Sequence, residues 1–132
     1  MEQLLYRSYA RDGLLADQVF AIIESSARDN PARDLTGFLI YAQDQFIQFL
    51  EGPAESIDLL MADLAADRRH RDLEVLCRQP ASRRLLPAWR MQRVDFRPGK
   101  IAEMLGDLAG KGVPRHVLTH IEAALTPRRA AA

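Results

Sequence analysis

A glutamine inside an apolar strand is the first residue of this chain that demands a chemical explanation. In Gln45-Phe46-Ile47-Gln48-Phe49-Leu50-Glu51, Gln48 has Ile47 and Phe49 beside it and shares its face with Phe46 and Leu50. Its primary amide carries two donor hydrogens and an acceptor. Burying them without partners costs about 1–3 kcal/mol. Two arrangements meet that demand: an edge strand whose Gln48 face is wet, or a buried amide turned toward a polar ligand held inside the fold. Tyr6, in Leu4-Leu5-Tyr6-Arg7-Ser8, is the natural partner. A phenol donates to or accepts from an amide, and it can also give up an electron and a proton. Strand tyrosines also serve simply as core.

Other residues carry two readings each. Asn30 precedes Pro31 and so reads as a helix terminator or turn residue; the same amide could read a heterocycle edge that offers one donor and one acceptor. Asp67-Arg68-Arg69-His70 closes the second helical pattern. Cations there are favoured by the helix dipole, and the same cluster could hold the polar tail and phosphate of a cofactor. His116 and His120 are four apart, as two metal ligands on a helix could be, but no third ligand accompanies them and no metal is expected. Cys77, the single cysteine, reads as a packed strand residue. There is no glycine-rich phosphate loop, no nucleotide-cyclase or phosphodiesterase motif, and no defensible Ser/His/Asp order.

The elements that position these groups follow from periodicity. Gln3 to Tyr9 reads as a strand with Leu4, Tyr6 and Ser8 on one face. Val19, Ile22, Ile23, Ser26 and Ala27 mark an amphipathic helix, predicted to stop before Asn30-Pro31 because a residue preceding proline is pushed out of helical dihedrals. Leu35 to Tyr41 and Gln45 to Glu51 form a β-hairpin around Ala42-Gln43-Asp44. Ile57, Leu60, Met61 and Leu64 stripe a second helix running to about Arg68. Strands are predicted at Leu73 to Arg78 and Ala88 to Phe96. The order β-α-β-β-α-β-β fits a ferredoxin-like α+β sandwich, with two helices on one face of a five-stranded mixed sheet. Beyond Pro98, one or two short helices broken near Gly110 to Pro114 are expected to cap the exposed sheet face or present a surface to a partner. Arg128 to Ala132 is expected to fray.

Bulk properties bound the function classes. The 132 residues suit one domain, expected at 1–97 with a short helical extension at 98–132 and no effector domain. Hydrophobic residues are 48% and charged residues 27%, a globular composition. Lys plus Arg and Asp plus Glu are 18 each, which gives no electrostatic reason to expect nucleic acid or an anionic membrane. No apolar run reads as a signal peptide or a membrane span, so a cytoplasmic location is expected.

Five segments, in order, resemble the BLUF family of flavin-binding blue-light sensors: Leu5-Tyr6-Arg7-Ser8; Asn30-Pro31 with Leu35-Thr36-Gly37; Phe46-Ile47-Gln48-Phe49-Leu50-Glu51-Gly52; Asp67-Arg68-Arg69-His70; and Trp89-Arg90-Met91-Gln92. The resemblance implies FAD, FMN or riboflavin held non-covalently between the two helices, with FAD or FMN expected. Gln48 matches the glutamine bonded to the flavin's reactive ring nitrogen and adjacent carbonyl, and Tyr6 the tyrosine bonded to that glutamine. Asn30 matches the residue at the pyrimidine edge, and Ile22 and Leu64 the aliphatic pair that sandwiches the ring. Arg69 and His70 match residues near the pyrimidine edge or the ribityl chain. Trp89 and Met91 match the pair whose position relative to the flavin changes with light. The implied event is transfer of an electron and a proton from Tyr6, then a rearranged Gln48 and a reversible red shift. Arg90 and Asp29 depart from the residue types common in the family at those positions.

Signalling to a separate protein is expected, since the stretch after Phe96 is too short for an effector, and a homodimer or higher oligomer is the expected assembly. The alternative is a non-photoactive interaction module of the same fold. An enzyme is not expected: an acylphosphatase-like hydrolase lacks its anion loop, and a flavin oxidoreductase needs an open face that Ile22 and Leu64 would close.

Overall fold

The computed structural model describes residues 1–126; the frayed end expected at Arg128 to Ala132 lies outside the described residues. The chain runs β1 (Glu2–Ala10), α1 (Ala16–Ala32), β2 (Thr36–Ala42), β3 (Gln45–Gly52), α2 (Ala54–Ala66), β4 (His70–Pro80), β5 (Arg90–Val94), α3 (Ile101–Gly110) and α4 (Arg115–Leu125). The strands form one sheet in the order β4-β1-β3-β2-β5. All neighbours are antiparallel except β2 and β5, which are parallel. The first four strands therefore take the ferredoxin-like arrangement, and β5 extends it into the five-stranded mixed sheet expected from the sequence.

Alternation sorts the central strands onto two faces. Leu4, Tyr6, Leu39, Phe46 and Leu50 face the side covered by α1 and α2, packing with Val19, Ile22, Ile23, Ile57 and Leu60. Leu5, Phe38, Ile40, Ile47 and Phe49 face the other side, where Met104, Leu108, Val117, Ile121 and Leu125 of α3 and α4 complete a second core. The C-terminal helices cover the sheet face that the ferredoxin-like unit leaves bare. Two glutamines of the β2–β3 hairpin fasten them: Gln43 of the turn donates to the Leu125 carbonyl at 2.8 Å, and Gln45 at the start of β3 to that of Ala124 at 3.1 Å. Carbonyls in the last turn of a helix have no partner within it, so this caps α4.

The first helix does not stop before Asn30-Pro31. It continues to Ala32 with Pro31 inside its last turn. The terminator is Asp34, in the left-handed region at φ 62°. Leu35 N–H donates to the Asn30 carbonyl and Asp34 N–H to that of Pro31, the paired bonds of a Schellman ending, and Leu35 is fully buried behind them. That closure outweighs the local bias against helix before proline. Similarly, α2 ends at Ala66 and not near Arg68, and His70 opens β4, which is longer at both ends than its apolar run suggests.

Candidate functional site

Pairing of β1 with β3 sets Tyr6 directly opposite Gln48. Both are buried on the α1–α2 face, Gln48 only 1% exposed. The wet-edge reading of Gln48 is thereby excluded: β3 is the central strand and the amide is inside. Tyr6 Oη donates to Gln48 Oε1 at 2.5 Å. The other end of the amide, Nε2, donates to Ser26 Oγ of α1 at 2.8 Å and to Met91 Sδ of β5 at 2.9 Å. Each polar atom of the Gln48 side chain has a partner, as burial requires.

Ser26 is the junction of this network. Its hydroxyl oxygen also accepts from Asn30 Nδ2 at 2.9 Å, so one oxygen holds two amide side chains. Helical spacing explains the contact, since Ser26 and Asn30 are four apart and share a face. Sequence reasoning placed Ser26 on the stripe of α1 but gave it no role. The available signal was a lone hydroxyl on an otherwise apolar face, four residues before an asparagine.

Between α1 and α2 lies a cavity of about 140 Å³. Tyr6, Gln48, Leu39 and Phe46 form its floor; Ile22, Ser26 and Asn30 line it from α1, Leu60 and Leu64 from α2, and Arg69 and His70 from the segment after α2. Its mouth is charged but internally paired. Arg33 bonds Asp63 across the two helices, and Arg69 bonds Asp67 at 2.8 Å. Arg69 holds the Asp67 carboxyl below the usual carboxylate range. His70 shares a 2.8 Å hydrogen bond with Ser8 Oγ through Nδ1. Burial pushes its imidazole below the ordinary histidine value, favouring the neutral ring. Burial likewise pushes the Tyr6 phenol well above its ordinary value, so it is a proton donor, never a phenolate, at neutral pH. The helix-dipole account of the basic cluster does not apply, because His70 belongs to β4 and Arg69 is held by Asp67.

Seven of the residues singled out from sequence line this one cavity: Tyr6, Ile22, Asn30, Gln48, Leu64, Arg69 and His70. Met91 reaches the same place through its sulfur. Trp89 does not. Its ring packs edge-to-face on Phe38, centroids 6.1 Å apart, on the α3–α4 side. The backbone between them accounts for the split, because Met91 sits at φ 65°, a left-handed conformation rare for a strand residue.

A ferredoxin-like sheet with a cavity between its helices, floored by a buried tyrosine–amide pair, defines a small-molecule-binding α+β domain with neutral recognition groups at its centre. The family model for BLUF, sensors of blue-light using FAD, matches residues 1–92, and the chain belongs to that family. Over 123 residues it is 31% identical to the blue light- and temperature-regulated antirepressor BluF of Escherichia coli (strain K12), a match covering 92% of this chain and 30% of that protein. The chain thus spans under a third of the length of that relative. The dark-state structure of BlrB, a BLUF protein, superimposes with TM-score 0.69 at 29% identity, covering 94% of this chain and 96% of the other. Klebsiella pneumoniae BlrP1 with FMN and cyclic diGMP gives TM-score 0.67 at 28% identity, over 80% of this chain and 29% of that one. Among the described residues no helix is long and apolar enough to cross a membrane, and no cluster of three or more His, Cys, Asp or Glu suits a metal ion.

Proposed function

We propose that the chain is a blue-light photoreceptor that holds FAD or FMN between α1 and α2 and reads light through Tyr6 and Gln48. The observation that carries this is the 2.5 Å phenol–amide bond buried on the floor of a cavity lined by seven residues expected at a flavin. The cavity's chemistry fits a ring with an apolar face and a polar edge. Ile22 and Leu64 would flank the ring, Asn30 and Gln48 would meet its polar edge, and Arg69 and His70 would lie toward the pyrimidine edge or the ribityl chain. Two buried polar atoms of cavity-lining residues, His70 Nε2 and Arg33 Nη1, have no hydrogen-bond partner among the described residues, which supports a polar ligand beside them.

A bound flavin supplies absorption in the blue and, once excited, a transient acceptor for one electron and one proton. Tyr6 supplies both. Its hydroxyl proton already points at Gln48 Oε1, the nearest base. Their return to Tyr6 leaves the amide rotated or tautomerised. Gln48 then presents an acceptor where it had presented a donor to Ser26 and Met91. Such an exchange of hydrogen bonds in a dry site is worth about 1–3 kcal/mol, enough to bias a two-state element. The element is β5, whose Met91 touches the amide and which follows directly on Trp89, a residue packed against the other face of the sheet. Output through a separate protein is supported by the description of BluF as an antirepressor. No catalytic role is assigned, and a homodimer or higher oligomer is the proposed assembly.

The test is whether the purified chain retains flavin or takes it up on reconstitution, and shifts its visible absorption reversibly to the red under blue light. A protein that stays colourless with excess flavin contradicts the reading. A yellow protein that only bleaches under light points to redox chemistry instead.

A further inference from the structure

Gln48 and Glu51 stand on the same strand, on opposite faces of the sheet. Glu51 is fully buried, yet it lies outside the cavity. Its carboxylate accepts the backbone N–H of Leu85, at 2.7 and 3.0 Å to its two oxygens, and that of Leu86, at 3.2 and 3.3 Å. Both donors belong to the loop that joins β4 to β5. Arg84 fastens the same loop from its outer side. Its guanidinium donates to Thr36 Oγ1 and the Glu51 carbonyl at 2.9 Å, and to the Asp34 carbonyl at 2.8 Å. A 2.9 Å ion pair with the Asp34 carboxylate completes the hold.

From that dock, backbone bonds lead without a gap to the switch. Trp89 N–H donates to the Leu86 carbonyl at 3.1 Å. The Trp89 carbonyl then accepts Gly37 N–H of β2 at 2.8 Å and Met91 N–H at 2.9 Å. Met91 is thereby held in its left-handed conformation with Sδ on the Gln48 amide. A non-glycine residue stays in such a conformation only where its surroundings over-determine it.

We propose that Glu51, seconded by Arg84, is a positioning residue that keeps Met91 pressed on Gln48 and so sets the lifetime of the lit state. The inference rests on the photosensor reading above. In the dark arrangement the Gln48 amide donates to Met91 sulfur. After rearrangement its oxygen faces that sulfur, two acceptors meet, and Met91 must give way. A docked loop pushes Met91 back and favours return. An undocked loop lets the strained backbone relax outward, and the lit arrangement persists.

The experiment is the dark recovery of the red-shifted state in flavin-loaded Glu51→Gln, timed by visible absorption. The amide keeps an acceptor but loses the charge and sets an N–H₂ against the two loop donors. Recovery slows by about three- to tenfold, the rate change expected from weakening one hydrogen bond. Arg84→Lys, on the partly exposed side of the dock, slows recovery in the same direction and serves if Glu51→Gln does not fold. Val117→Ala removes core from the α3–α4 side and leaves recovery unchanged. Folded, flavin-bearing Glu51→Gln or Arg84→Lys that recovers at the wild-type rate overturns the proposal, as does equal slowing in Val117→Ala, which would reduce the effect to general loss of stability. A wild-type chain with no light-induced shift would instead sink the photosensor reading on which the proposal rests.

Discussion

Tyr6 and Gln48 are cross-strand partners in the centre of the sheet, and the phenol donates to the amide oxygen at 2.5 Å. The contact fixes the sense of the Gln48 side chain. Its oxygen faces Tyr6, so its nitrogen must face Ser26 and Met91. Reversing the amide would disturb three partners at once, on β1, α1 and β5.

Because burial holds the Tyr6 phenol far above its ordinary value, it stays protonated in the folded chain under alkaline conditions that ionise a free phenol. Ultraviolet titration of wild type and Tyr6→Phe should therefore give equal phenolate absorbance in the native state up to about pH 11. After unfolding, the variant should lose one of the three tyrosine signals. A difference between the two native titrations would contradict the buried donor.

Ser26→Ala should expose how much rests on one oxygen. Gln48 Nε2 would lose its α1 acceptor, and the Asn30 amide would lose the same atom. Urea denaturation without flavin should show a loss of about 1–3 kcal/mol, with an unchanged dependence on denaturant.

Gly37 is the point where β5 joins β2, and it tolerates no side chain. A Cβ there would lie 1.9 Å from the Phe49 carbonyl oxygen, on a backbone at φ 141°. Gly37→Ala should cost more than about 4 kcal/mol and leave the chain largely insoluble or unfolded. A variant folded like wild type by circular dichroism would overturn this packing.

His70 gives the fold an acid-side sensitivity. Its pKa is lowered, chiefly by burial, so between that value and the unfolded value of about 6.5 the unfolded chain binds a proton that the native chain does not. Stability from this group is complete above the unfolded value and is lost as pH falls through the folded one. Urea midpoints should drop as pH falls below the unfolded value of about 6.5, and His70→Gln should flatten that slope.

Much of this site was legible before any coordinates. Strand alternation left Gln48 open between a wet edge face and a buried amide, and the ferredoxin-like strand order brought the strands of Tyr6 and Gln48 side by side, so that the two could touch. Asn30 and His70 were placed correctly in the chain but wrongly in their elements, for a common reason. The Asn-Pro signal and the cation cluster are local rules, and each lost to tertiary structure: to the Schellman closure at Asp34 in one case, and to the extension of β4 in the other. Ser26 was overlooked because a serine on an apolar stripe is neutral to periodicity. The left-handed turn at Met91, which sends Trp89 to the opposite face, leaves no signature in residue type, since methionine has no preference for it.

The most direct test of the central claim is the light-minus-dark visible spectrum of flavin-loaded wild type beside Tyr6→Phe and Gln48→Ala. The wild type should shift to the red and return in the dark. Both variants should bind flavin and show no shift, because one lacks the transferable proton and the other the amide that records its passage. A reversible red shift that survives in either variant would contradict the assignment of the switch to this pair.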